Sequence, residues 1–151
     1  GSRDTKEGLI YSYIHAGGRI GVLIEINCET DFVAKTEGFI ELTHNIAMQI
    51  AATNPIALDK EFISSSIIER EREIYTDQAK SSGKPDNIIE KMVDGKMSKF
   101  FQENCLLQQS YIKDPDKKVI DLITESIATL GENIAISRYM RFAVGETDDT
   151  N

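Results

Sequence analysis

The amino-acid sequence predicts an α+β domain, in which a small three-stranded antiparallel sheet is covered by helices in the order β-β-α-α-α-α-β. Three observations lead to this prediction. Two runs of strand-like alternation lie near the start of the chain, and four runs with helical spacing of apolar residues follow them. A third strand-like run lies near the end. Strands from both ends of the chain are therefore expected to meet in one sheet, and no internal repeat or linker interrupts the sequence.

The first two strands are expected at residues 9–15 and 19–27, joined by a turn that contains Gly17 and Gly18. Consecutive glycines are typical of a tight turn, because glycine adopts positive φ without steric cost. In the second run, β-branched residues occupy every other position over residues 22–26. This alternation predicts that one face of the hairpin is buried more deeply than the other.

The first helix is expected to end before Pro55, because a residue that precedes proline is disfavoured in the α conformation. Its apolar face is formed by residues at three- and four-residue spacing, namely Phe39, Leu42, Ile46 and Ile50. The second helix is predicted to start at Ser66, whose spacing to Glu69 matches a capping box.

The remaining boundaries are predicted from glycine and proline. Gly83 is expected just past the end of the second helix, and Pro85 in the first turn of the third. The last helix is expected to begin with Asp114 as its N-cap and a proline in its first turn, and to end at Gly131. The third strand is predicted over residues 133–144.

Composition and charge argue against several classes of function. The 151 residues include 17 basic and 25 acidic ones, and a net charge of −8 disfavours direct binding to nucleic-acid phosphates. No apolar run approaches the ~20 residues of a membrane span, and no secretory or transit signal opens the sequence. Residues 7–146 are predicted to form one domain, with residues 1–6 as an expression tag and linker remnant and residues 147–151 as a disordered tail.

The sequence favours a binding protein over an enzyme. His15 and His44 have no Cys, His or Asp neighbour at metal-ligand spacing, so neither a metal nor another cofactor is expected. No phosphate-binding glycine loop or nucleophile motif occurs. Cys28 and Cys105 lie far apart without a CxxC pattern, which indicates reduced, half-buried thiols in a reducing compartment.

The stretch NCETDFVAKTEGF, residues 27–39, lies where the second strand pattern stops and a helix pattern starts. Thr30 is expected to cap the helix, because its hydroxyl can accept a hydrogen bond from a free N–H of the first turn. Asp31 then lies in that turn, where the helix dipole favours a carboxylate. Phe32 has two interpretations: a buried ring that staples the corner, or an exposed ring that enters a partner.

Four segments, in this order along the chain, resemble the elongation factor Ts family. They are YIHAGGRIGVL at residues 13–23, NCETDFVAKTEGF at residues 27–39, SGKP with IEKMVDGKM within residues 82–97, and LGENIAISR at residues 130–138. The TDFVA string alone is a moderate signal. Four ordered segments that reach from about residue 7 to residue 145 are a strong one.

The resemblance implies a translation elongation factor that acts as a guanine-nucleotide exchange factor. Its partner would be elongation factor Tu, which it would bind in both the GDP-bound and the nucleotide-free form. It would promote GDP release by disturbing the Mg²⁺ and phosphate site of this partner. Matching positions place Asp31 and Phe32 against the helices that flank the Mg²⁺ site, with the ring as a wedge. The residues expected to bind this partner are Thr30, Asp31, Phe32, Val33, His15, Leu130 and Gly131. Two of these have structural alternatives, since His15 could be a hydrogen-bonded turn residue and Leu130 the last core position of its helix.

The resemblance also implies a homodimer, because this chain has one copy of the core where long-form members carry two modules. The sheets are expected to contribute to its interface. The family's ubiquitin-associated-like helical domain has no counterpart in the sequence, so the chain is expected to be a core fragment that begins near Arg3. The expected compartment is the cytoplasm, with the plastid or mitochondrial matrix as alternatives. A second hypothesis for function is a non-catalytic dimeric protein-binding module of the same fold.

Overall fold

The computed structural model describes residues 4–146. Its elements are β1 (Glu7–Ile14), β2 (Ile20–Cys28), α1 (Asp31–Ala34), α2 (Glu37–Thr53), α3 (Ser65–Lys80), α4 (Asp86–Asn104), β3 (Ser110–Tyr111), β4 (Asp114–Lys118), α5 (Val119–Leu130) and β5 (Ala135–Ala143). Short 3₁₀ turns lie at Lys60–Phe62 and Leu106–Gln108.

The described chain divides into two compact units, one of residues 4–54 with 111–146 and one of Pro55–Ser110. The prediction that residues 7–146 form a single domain stays a prediction. The expected tag residues Gly1 and Ser2, and the expected tail at residues 147–151, lie outside the described residues.

The first unit contains a three-stranded antiparallel sheet with the strand order β1-β2-β5. The predicted α+β class and the antiparallel sheet are confirmed. Val22, Ile24 and Ile26 of β2 are almost fully buried on one face, as the alternation predicted. The register between β2 and β5 shifts between Glu25 and Ile26, which marks a β-bulge or a similar irregularity at this point.

Helix α2 packs against β1 and β2 and supplies much of the core of this unit. Phe39, Ile46 and Ile50 point from α2 into the interior and are completely buried. At the end of α2, the Arg141 guanidinium of β5 donates hydrogen bonds of 3.1 and 3.2 Å to the Ala51 carbonyl. A cation at a helix C-terminus also interacts favourably with the helix dipole, so β5 is fixed to the end of α2.

The second unit is built on the antiparallel pair α3 and α4. Ala79 of α3 packs with Ile89, Val93 and Met97 of α4 in one buried cluster. Cys105 is buried in a neighbouring cluster with Ala57 and Ile63. Ile89, Val93 and Met97 recur at helical spacing along α4, and the sequence predicted a helix at each of these two places.

Two predicted helix starts are wrong. Asp114 does not cap the last helix: it begins strand β4, which pairs with β3, and α5 starts five residues later at Val119. The Asp121 carboxylate accepts the Lys118 N–H at 2.9 Å and so marks the true start, as the acid of a capping box does.

The other error is the start of α3. Ser64, rather than Ser66, is its N-cap, and its hydroxyl accepts the Ile67 N–H at 3.4 Å. Three consecutive serines offered three possible caps, and spacing alone did not separate them.

Candidate partner-binding site

The turn after β2 forms a single helical turn, α1, held by a threonine at each end. The Thr30 hydroxyl accepts the Val33 N–H at 3.3 Å, so the predicted N-cap is confirmed. At the other end, the Thr36 hydroxyl donates to the Val33 carbonyl at 2.7 Å and accepts the Phe39 N–H at 3.3 Å. The sequence predicted one helix here. The structure has two, because Thr36 closes α1 and caps α2.

Phe32 projects from α1 into solvent with 77% of its surface exposed. The next two residues, Val33 and Ala34, are buried and fix the turn to the unit. The interpretation of Phe32 as a buried corner staple is therefore wrong. Asp31 is also exposed, and its carboxylate lies 3.7 Å from the Lys35 ammonium one turn along.

Leu130 and Gly131 lie at the end of α5, close to this turn. Gly131 has a φ of +77°, a left-handed conformation that glycine adopts without strain and that ends the helix. Leu130 is half-buried, and its Cδ2 would lie 3.6 Å from a β-carbon at Gly38 of α2. Both interpretations of Leu130 therefore fit: it packs within the unit and retains an accessible surface.

Two glutamates join the turn before α1 to the segment after α5. The Glu132 carboxylate accepts the N–H groups of Glu29 and Thr30, both at 3.0 Å, through one oxygen. Its other oxygen accepts the Thr30 hydroxyl at 2.7 Å. In return, the Glu29 carboxylate accepts the Asn133 N–H at 2.6 Å. We refer to this reciprocal arrangement of Glu29 and Glu132 as the glutamate clamp.

His15 lies at the other end of the hairpin. Glu7 pairs with Cys28 at the end next to α1, whereas Ile14 pairs with Gly21 at the end next to His15. Eight residues of strand therefore separate His15 from the α1 turn, a distance of about 25 Å at the usual rise per residue. The structure brings Thr30–Val33 and Leu130–Gly131 together, but His15 forms a separate patch.

The His15 ring is exposed and held by a neighbouring tyrosine. The Tyr13 hydroxyl lies 2.8 Å from His15 Nδ1, and the two rings are tilted with their centroids 6.0 Å apart. Tyr11 makes the equivalent contact with His44 Nδ1 at 2.6 Å. His15 is thus a hydrogen-bonded residue at the strand end, and its exposed ring is also open to a partner.

The site presents an exposed aromatic ring among charged side chains. Phe32 is surrounded in sequence by the exposed acids Asp31 and Glu37, and the clamp adds two further carboxylates. Over residues 4–146, no group of three or more His, Cys, Asp or Glu side chains is arranged to hold a metal ion. Within the same residues, no helix is both long and apolar enough to cross a membrane.

Comparison with known proteins decides the family. The model of the family described as "Elongation factor TS" matches residues 2–146. The chain belongs to the elongation factor Ts family. The resemblance seen in the four sequence segments is confirmed, and with it the role of a translation elongation factor in protein biosynthesis.

Several relatives named "Elongation factor Ts" are similar over most of the chain. The protein of Syntrophobacter fumaroxidans is 59% identical over 143 residues, which cover 95% of this chain and 72% of the relative. The protein of Geotalea daltonii is 55% identical over 144 residues, 95% of this chain and 67% of the relative. That of Moorella thermoacetica is 55% identical over 142 residues, 94% of this chain and 70% of the relative.

The sheet of this elongation factor Ts family member was expected to contribute to a dimer interface, but the residues of its second apolar face were not identified from the sequence. Opposite the side that α2 covers, apolar side chains are between 48% and 69% exposed; they are Ile10, Ile14, Leu23, Met140 and Phe142. We call these five residues the outer sheet face. The Glu25–Arg138 ion pair, 2.9 Å long, lies among them beside a depression of about 150 Å³. A signal was present, since these residues occupy the alternate positions to the buried ones.

Cys28 and Cys105 are free, and both are completely buried rather than half-buried as the sequence predicted. Burial raises the pKa of both, that of Cys105 to about 11. Because only an accessible thiolate reacts, neither thiol should react with a maleimide or disulfide reagent at pH 8 in the native protein. Both should react after unfolding without reductant. Mass spectrometry of the labelled chain counts the adducts, and labelling of the native protein within minutes would contradict the expectation.

Proposed function

We propose that this member of the elongation factor Ts family is a guanine-nucleotide exchange factor for elongation factor Tu. It promotes GDP release from the GDP-bound partner and stabilises the nucleotide-free partner, without covalent chemistry. The observation that carries the proposal is the exposure of Phe32 on a turn fixed at both ends. A large aromatic side chain held rigidly in solvent is typical of an anchor residue at a protein–protein interface.

The Phe32 ring acts as a wedge between the helices that flank the Mg²⁺ site of the partner. Mg²⁺ requires near-ideal octahedral geometry, so a shift of one supporting helix by about an ångström is enough to weaken its binding. Loss of the ion then weakens the hold on the GDP phosphates. Asp31 lies beside the ring and adds a charge at the same point.

The wedge alone is too weak to account for exchange. Moving a two-state equilibrium from mostly bound to mostly released requires a differential affinity of about 5.5 kcal/mol. Burial of one phenylalanine contributes only about 1.5–3 kcal/mol. A second set of contacts is therefore part of the proposal, and Leu130 and Gly131 provide it next to the turn, with His15 at the far end of the hairpin.

Thr30 and Val33, the other two residues expected in the Thr30–Val33 stretch of the site, contribute mainly by holding the local structure. Thr30 caps α1, and buried Val33 fixes α1 to the unit, so both hold the exposed pair Asp31 and Phe32 in place.

The factor and GDP are both ligands of elongation factor Tu, and the coupling between them is reciprocal. Bound factor must weaken GDP binding by the same factor by which bound GDP weakens factor binding.

We further propose that the chain is a homodimer in the bacterial cytoplasm, associated through the outer sheet face. The bacterial relatives support the compartment. The contiguous apolar residues of this face support the interface, because patches of this kind mark association surfaces. The acidic net charge of −8 argues against direct contact with nucleic acid.

A GDP-release assay tests the proposed function. Elongation factor Tu is loaded with a fluorescent GDP analogue and chased with excess GDP, with and without this chain. The release rate should rise in proportion to the concentration of the chain while the chain is limiting. Binding to elongation factor Tu without faster release would instead support the second hypothesis, a non-catalytic binding module.

A further inference from the structure

Helix α1 is too short for its own backbone hydrogen bonds to hold its geometry. It is four residues long, and a single helical turn is unstable in isolation because nucleation costs more than one turn recovers. Phe32 makes little contact with the rest of the protein. The direction of the ring therefore depends on the buried residues Val33 and Ala34, which anchor α1, and on the groups that fix its two ends.

The N-terminal end is fixed through Glu132. The Thr30 hydroxyl has a single proton, and it donates this proton to the Glu132 carboxylate at 2.7 Å. Its oxygen then presents a lone pair to the Val33 N–H. Glu132 thus orients the capping hydroxyl itself, and the two backbone N–H groups bound to its other oxygen fix the chain immediately before the helix.

We propose that Glu132 is a positioning residue for exchange, acting through Thr30 and α1 on the Phe32 ring. It touches neither GDP nor Mg²⁺ in the proposed mechanism. Hydrogen bonds to an ionised carboxylate are about twice as strong as neutral ones, so three of them on one side chain form a stiff connection. The Glu29 half of the clamp, bonded to the Asn133 N–H, prevents the two segments from sliding past each other. This inference rests on the proposed function.

The first experiment needs no partner protein. The chain contains no tryptophan, so Phe32→Trp introduces a single fluorescent reporter at the tip of α1. Adding Glu132→Ala should lower the steady-state anisotropy of this tryptophan, because α1 becomes mobile. Glu125→Ala is the matched control: it removes a glutamate from the middle of the preceding helix α5, whose bond to Lys117 does not involve α1. Equal anisotropy with and without Glu132 would overturn the inference.

The second experiment is a double-mutant cycle on the GDP-release rate at limiting factor. Glu132→Ala should slow release by about ten- to a hundredfold in the wild-type background, since misplacement of a working group by about an ångström can cost up to about a hundredfold. In the Phe32→Ala background it should change the rate less than about twofold, because the ring that it positions is absent. Glu125→Ala should change neither background. Circular dichroism verifies the folded fraction of each variant at the assay temperature.

The possible outcomes separate the two proposals. Equal losses in both backgrounds, or no loss with Glu132→Ala, would overturn the positioning role and leave the exchange function standing. A wild-type chain that does not accelerate release would overturn the proposed function, while the anisotropy result would still report whether Glu132 orders α1. If Glu132→Ala does not fold, Glu132→Gln replaces it. This variant keeps a carbonyl for the two N–H groups but loses the acceptor of the Thr30 proton, and an intermediate loss in the wild-type background alone would support the inference.

Discussion

Phe32→Ala is expected to slow GDP release from elongation factor Tu by roughly ten- to more than a hundredfold at limiting factor. The loss corresponds to the removal of a contact worth about 1.5–3 kcal/mol in the complex. In the free protein 77% of the Phe32 surface is exposed, so the same change should leave the melting temperature nearly unaltered. Stopped-flow release of a fluorescent GDP analogue measures the first quantity, and thermal unfolding followed by circular dichroism measures the second.

Phe39→Ala is the matched control, because Phe39 lies seven residues away and is completely buried. It should lower the free energy of unfolding by about 3–5 kcal/mol, while the molecules that remain folded exchange at the normal rate. Asp31→Ala should slow release less than Phe32→Ala, since an exposed carboxylate at a helix start contributes about 0.3–1 kcal/mol. A sharp fall in melting temperature for Phe32→Ala, with normal exchange by the folded fraction, would contradict the role of Phe32 as a wedge. The active contacts would then be assigned to His15 and Leu130–Gly131.

The features that the sequence predicted are those set by local rules. The Gly17–Gly18 turn, the alternation along β2 and the Thr30 cap each depend on a few neighbouring residues, and all three are present in the structure. The resemblance to the elongation factor Ts family added the assignment of Phe32 as an exposed wedge. Composition alone left a buried and an exposed interpretation equally open. Exposure decided between them, and exposure depends on the whole packed unit.

The features that escaped prediction depend on residues far apart in the chain. Glu132 reaches Thr30 across about one hundred positions, and no periodicity or spacing rule connects them. Asp114 shows the converse error. Its local pattern, an acid followed by a proline, fits a helix start, but the segment pairs with β3 as a strand instead. Local propensity is a weak guide wherever a tertiary contact competes with it.

The proposed homodimer provides the second large effect. The outer sheet face is expected to stack against its copy in a second chain, since two sheets pack about 10 Å apart through interdigitated apolar side chains. In a two-fold symmetric interface, one substitution places two changes in the contact. Phe142→Asp should therefore convert the dimer into monomers at micromolar concentration, because each buried, unpaired carboxylate costs several kcal/mol.

The mass in solution measures this outcome. Light scattering of the wild-type chain should give about twice the 16.9 kDa of one chain, and Phe142→Asp should give a mass near 16.9 kDa. Phe62→Asp is the control: Phe62 is 64% exposed, close to the 69% of Phe142, but lies in a 3₁₀ turn of the second unit. It adds the same charge and should leave the dimer intact. A wild-type mass near 16.9 kDa at micromolar concentration, or dissociation by both substitutions alike, would show that the outer sheet face is not the dimer interface.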